Sequence, residues 1–107
     1  MTNPLSDYWT ACKATVEAVA AAKPTTADQV IAILNEHDPH GPSSGPAFWS
    51  AANGDDDLDP LLLAAGWTYD WREASYYWQM SRTHDGQRQT ITYVEGDVFA
   101  NSPQPPM

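Results

Sequence analysis

A chain of 107 residues bounds the answer to a single domain that buries roughly two-thirds of its unfolded surface around one core. Fourteen carboxylates against five lysines and arginines give a net charge of -9, a field that repels nucleic-acid phosphates, while 42% apolar and only 18% charged residues exclude an acidic disordered chain. Cys12 is the sole cysteine, so no intrachain disulfide forms, and neither a basic leader in Met1-Thr-Asn-Pro nor an apolar run of the roughly 20 residues a bilayer needs is present, which sets the expectation of a cytoplasmic protein.

In chain order, residues 1–5 are expected to be a flexible N-terminus, 6–100 a single α+β domain and 101–107 a flexible proline-rich tail. Ser6 reads as an N-cap for a helix whose apolar positions Trp9, Cys12, Val16 and Val19 recur at spacings of three and four, ending near Lys23 before Pro24. A second helix starts at Thr26, with Gln29 completing a capping box and Val30, Ile31, Ile33 and Leu34 as its buried stripe. Asp38 before Pro39 stops it. The proline- and glycine-rich stretch 38–46 reads as a loop, and Pro46 is expected to open a short helix through Phe48 and Trp49 that ends at Asn53-Gly54. After Asp55-Asp56-Asp57, Asp59 is expected to cap a last short helix begun by Pro60 and terminated by Gly66 in the left-handed conformation.

From Trp67 the apolar period changes from 3.6 to 2. Trp67, Tyr69 and Trp71 alternate with Thr68 and Asp70. A break at Arg72-Glu73-Ala74 then precedes a strand from Ser75 to Thr83, a turn at Asp85-Gly86 and a return strand from Gln87 to Phe99. If Asp85-Gly86 is a two-residue loop, Trp78 lies opposite Tyr93 and Met80 opposite Ile91 on one face, with Tyr77 and Val94 together on the other. The first face is the apolar one and is expected to pack on the helices. Trp67, Trp78 and Tyr93 are read as core. Gln79, Ser81, Thr90 and Thr92 make the second face polar, and Tyr77 stands out on it.

The patterns that imitate reaction chemistry fail on context. Gly41-Pro42-Ser43-Ser44-Gly45 spells a nucleophile elbow, yet a helix precedes it where a strand is required. His37 and His40 straddle Pro39, so they do not share a helical face as zinc ligands would, although Cys12 and His84 are conceivable further ligands. Asp55, Asp57 and Asp59 alternate like the start of a calcium loop, but Pro60 and Gly66 occupy the positions that need glycine and glutamate. No glycine-rich phosphate loop exists. The expectation is therefore no enzyme, no catalytic residues, no metal and no cofactor.

The order α, α, α, β, β resembles a winged helix, with Ala65-Gly66-Trp67 leading into the wing; a recognition helix there would carry no base, so the resemblance implies a protein-binding derivative. Tyr76-Tyr77-Trp78 together with Tyr93-Val94-Glu95-Gly96-Asp97 resembles the C-terminal third of small accessory proteins of actinobacteria and their phages. That resemblance implies a protein acting on a host component in the host cytoplasm.

Eight of the twelve aromatic residues lie between Trp67 and Phe99, beside carboxylates, and tyrosine and tryptophan are the favoured anchors of protein interfaces. The fold expected is α+β, two to three N-terminal helices packed on a C-terminal antiparallel β-hairpin or three-stranded sheet. The function expected is a non-enzymatic acidic module that binds and modulates another protein with a basic surface. Trp71, Tyr76 and Tyr77 are the anchors of this reading, and Asp70, Glu73, Glu95 and Asp97 steer the partner. An acidic mimic of DNA, using Asp55 to Asp59 to compete for a DNA-binding protein, is the alternative. A free hairpin edge would also allow a homodimer.

Overall fold

The computed structural model describes residues 4–38, 47–49 and 57–101. Among these, the elements are α1 (Pro4–Ala22), α2 (Ala27–His37), β1 (Ala47–Phe48), α3 (Asp59–Ala64), β2 (Thr68–Ala74), β3 (Tyr77–His84), β4 (Gln87–Val94) and β5 (Asp97–Ala100). The expected α+β class is what the chain adopts, with helices first and strands last except for β1, which precedes α3.

Each helix owes its ends to local chemistry. α1 starts at Pro4, ahead of the expected cap Ser6, because proline suits a first helical turn, and it buries Cys12, Thr15 and Val19. Thr26 caps α2 as expected: its hydroxyl accepts from Gln29 N at 3.2 Å while Gln29 Oε1 accepts from Thr26 N at 3.2 Å, an arrangement that contributes about 1 kcal/mol. The next free donor, Ala27 N, is satisfied from another layer, by Gln89 Oε1 of β4 at 3.0 Å. α3 departs from expectation at its start. Leu58 is the N-cap with no side-chain cap bond, and Asp59 lies within the first turn, buried. Its end is as expected, with Gly66 at φ 94°. Arg82 Nη1 donates to the carbonyl of Ala65, placing a cation at the end of the helix dipole.

The sheet runs β1-β5-β4-β3-β2 and is antiparallel throughout. Asp85-Gly86 closes β3 onto β4 with φ 52° and 79°, the left-handed pair a tight hairpin needs. The register follows: Trp78↔Tyr93, Met80↔Ile91 and Tyr77↔Val94. Four expectations are corrected. The segment 87–99 is two strands rather than one, because Glu95-Gly96 repeats the same turn at φ 49° and 97°. The sheet consequently has five strands, wider than a hairpin, a three-stranded sheet or a wing. Ala47 and Phe48 form a strand on β5, and Trp49 N extends the pairing to Gly96 O at 2.8 Å, so no helix passes through Phe48 and Trp49; Pro46 and Asn53-Gly54 lie outside the described residues. The expected break at Arg72-Glu73-Ala74 is also not one: these residues finish β2, and the chain reverses at Ser75-Tyr76.

One face of the sheet holds the core. Trp78, Met80, Ile91, Tyr93 and Val98 share it by register and pack with Val19, Val30, Leu34, Leu58, Leu62 and Trp67 from the helical side. Each of these large side chains stabilises the fold by about 1.5–3 kcal/mol on burial. Trp78 and Tyr93 stack at 5.0 Å with 2° between their planes, and the indole N–H of Trp67 finds Pro24 O at 2.9 Å, so the expected core assignment of all three holds.

Candidate functional site

The opposite face of the sheet carries the anchors, and a bulge is what puts Trp71 among them. Strict alternation from Tyr69 would send Trp71 to the helical side with Tyr69 itself. In β2 the ladder slips between Tyr69, opposite Met80, and Trp71, opposite Gln79, so Asp70 is an extra residue and Trp71 turns outward. It meets Tyr77 edge to face, ring centroids 4.7 Å apart at 67°. A second slip at Glu73 sets Ala74 opposite Tyr77.

Residues in direct register share a face, so two rows can be followed across the sheet. The first is Ala74, Tyr77, Val94, Asp97 and Phe48, one from each strand; the second is Trp71, Gln79, Thr92 and Phe99. Trp71, Tyr77, Val94, Phe99 and Phe48 are all half-buried, each shielded by its neighbours with part of its surface open. Tyr76 sits at the tip of the β2–β3 turn, 57% exposed. Its carbonyl accepts from Glu95 N at 2.8 Å, which joins that turn to the β4–β5 turn. Glu73, Glu95 and Asp97 border the same corner, are exposed, and take part in no ion pair among the described residues.

Six of the seven residues expected at a partner surface therefore converge, and the seventh has another engagement. The Asp70 carboxylate accepts from Gln79 Nε2 at 2.8 Å, Ser81 Oγ at 2.7 Å and Arg88 Nη2 at 2.7 Å. Burial disfavours its charge, but these three donors outweigh burial and hold its pKa below the ordinary carboxylate value. Gln79 passes the network on, accepting from Thr92 Oγ1 at 3.0 Å. Thr92, expected among the residues that make this face polar, is fully buried because Gln79 and Phe99 flank it in the ladder.

Phe48 and Phe99 went unrecognised as members of this face. The signal for Phe99 was present in Glu95-Gly96, a two-residue turn that makes residues 97–100 a strand of their own. For Phe48 no local pattern distinguishes a strand from a helix.

On the helical side, Asp59 is a buried carboxylate with two partners: the Tyr69 hydroxyl donates to it, and Arg72 Nε stands 3.6 Å away. Burial first, and then this bond and charge, push the Tyr69 hydroxyl up to about 12; burial and the carboxylates of Asp57, Asp59 and Asp97 push Tyr93 to about 12 as well. Asp59 ties α3 to β2 and is removed from the surface strip that DNA mimicry would use, while Asp55 and Asp56 lie outside the described residues. His40 and the 41–45 string are outside them too. Among the described residues no three of His, Cys, Asp and Glu gather as metal ligands do, and no helix is long and apolar enough to cross a membrane. Comparison with protein-family models, curated proteins and solved structures returns no match to this chain.

Proposed function

We propose that this chain is a non-enzymatic module that binds and modulates another protein, and that it does so through the outer corner of its sheet. The observation that carries the reading is the packing of Trp71 against Tyr77 beside an exposed Tyr76, rimmed by three carboxylates that form no ion pair among the described residues. Rigid rings of this kind supply contact area at low entropic cost, and truncating such an anchor typically costs at least about 2 kcal/mol of binding. Unpaired acids beside them favour a basic partner and speed its approach.

Tyr76 gives the cleaner test, since Tyr77 also supports Trp71. With the full tagged chain as bait in a cytosolic extract, Tyr76→Ala is expected to lose the specific partner while its melting temperature stays that of the parent, because exposed positions change stability by no more than about 0.5 kcal/mol. Tyr77→Ala is expected to lose both the partner and about 1 kcal/mol of stability. Capture that is unaffected by either substitution rejects the proposal.

A further inference from the structure

Along the first row of the outer face, an exposed carboxylate is set between two apolar neighbours: Asp97 lies directly between Val94 on one strand and Phe48 on the next. Adjacent strands are about 4.8 Å apart, so all three lie within the reach of one long side chain. The Phe48 ring is held in place, since it packs on Gly96 so closely that a Cβ there would come within 2.7 Å of it. Phe99 stands two residues along β5 on the same face. Glu95 adds a second charge with no ion-pair partner among the described residues, at the adjoining turn.

We infer, resting on the protein-binding reading above, that this corner takes an arginine side chain from a basic segment of the partner, with its stem over Val94, its guanidinium on the Asp97 carboxylate and its flat face against the Phe48 ring. A second copy of the chain is the wrong occupant, because each copy brings a charge of -9, and the same field turns away nucleic acid. The choice of arginine over lysine follows from shape and hydration. A guanidinium is planar, meets a carboxylate with two parallel donors, stacks on an aromatic face and sheds water more readily than an ammonium.

The test uses the full isotope-labelled chain, titrated at millimolar concentration with blocked Gly-Arg-Gly and with its lysine and citrulline counterparts, read from amide chemical shifts. The arginine peptide is expected to move the signals of Phe48, Val94 and Asp97, the lysine peptide to bind several-fold more weakly, and the neutral citrulline peptide to move none. Asp97→Asn, at an exposed strand start where the amide keeps the shape, is expected to weaken the arginine response about tenfold. Equal responses to arginine and lysine, shifts centred elsewhere, or no shift at all overturn the inference. Those results leave the broader reading standing if Tyr76→Ala still abolishes capture; capture indifferent to Tyr76 and Tyr77 removes both.

Discussion

Asp70 and Tyr69 are neighbours in the chain that point to opposite faces, and their titrations bear on stability at opposite ends of the pH scale. Asp70 is held charged by Gln79, Ser81 and Arg88, with its pKa lowered in the folded state. Its stabilising contribution is complete above the unfolded carboxylate value of about 4 and is lost as pH falls through the lower folded value. Tyr69 and Tyr93 are held neutral, both raised to about 12, so theirs is complete below the unfolded tyrosine value of about 10 and is lost as pH rises from there through the folded value. Urea midpoints measured across pH are therefore expected to form a plateau with an acid limb that Asp70→Asn removes and an alkaline limb that Tyr69→Phe reduces. An unchanged acid limb in Asp70→Asn would show that the network around it carries no charge-dependent stability.

The elements of the sheet depend on their turns, and the two glycines that follow a left-handed residue are not equivalent. A Cβ at Gly86, φ 79°, meets nothing within 4 Å, whereas one at Gly96, φ 97°, strikes the Phe48 ring. Gly86→Ala is expected to cost about 1–2 kcal/mol from backbone strain alone, and Gly96→Ala a further 1–3 kcal/mol or so, from displacing Phe48. Amide exchange gives the local check: Trp49 N, bonded to Gly96 O, is expected to exchange faster in Gly96→Ala and at the parental rate in Gly86→Ala. These turns also mark how far the elements were legible. Thr26 with Gln29, Gly66 and Asp85-Gly86 each state their conformation in adjacent residues, and the register from Trp78 to Tyr93 followed by counting outward. Glu95-Gly96 spoke the same language, but the apolar run on either side of it masked a strand end. The bulge at Asp70 has no such signature, since it exists because Asp70 reaches three donors on β3 and β4, contacts that only the assembled sheet creates. β1 likewise becomes a strand only by finding the edge of β5. At the site itself, the hairpin register puts Tyr77 on the outer face, and the crowding of rings and acids in the segment points to Tyr76, Glu73, Glu95 and Asp97, while the outward placement of Asp97 depends on the Glu95-Gly96 turn. That Trp71 joins them required the bulge, and that Asp59 is buried required the fold.

At the scale of the molecule, helices cover one face of the sheet, and the free edge on the β2 side is poorly suited to pairing. Its ladder slips at Asp70 and again at Glu73, and it carries Arg72 between them, which are the devices that stop edge-to-edge addition. With a net charge of -9 repelling its own copies, the chain is expected to remain at its single-chain mass of 11.8 kDa by light scattering at low salt; a doubled mass would show that β2 pairs after all. Glu95, at the β4–β5 reversal, adopts φ 49°, a conformation that glycine or asparagine enters easily and that a glutamate enters at a cost of about 1 kcal/mol. Asp85, in the equivalent place on the other hairpin, is a residue type well suited to that geometry. The longer acid gives up conformational ease, and in return a negative tip is pinned by its own main chain to the neighbouring reversal, alongside the open ring of Tyr76.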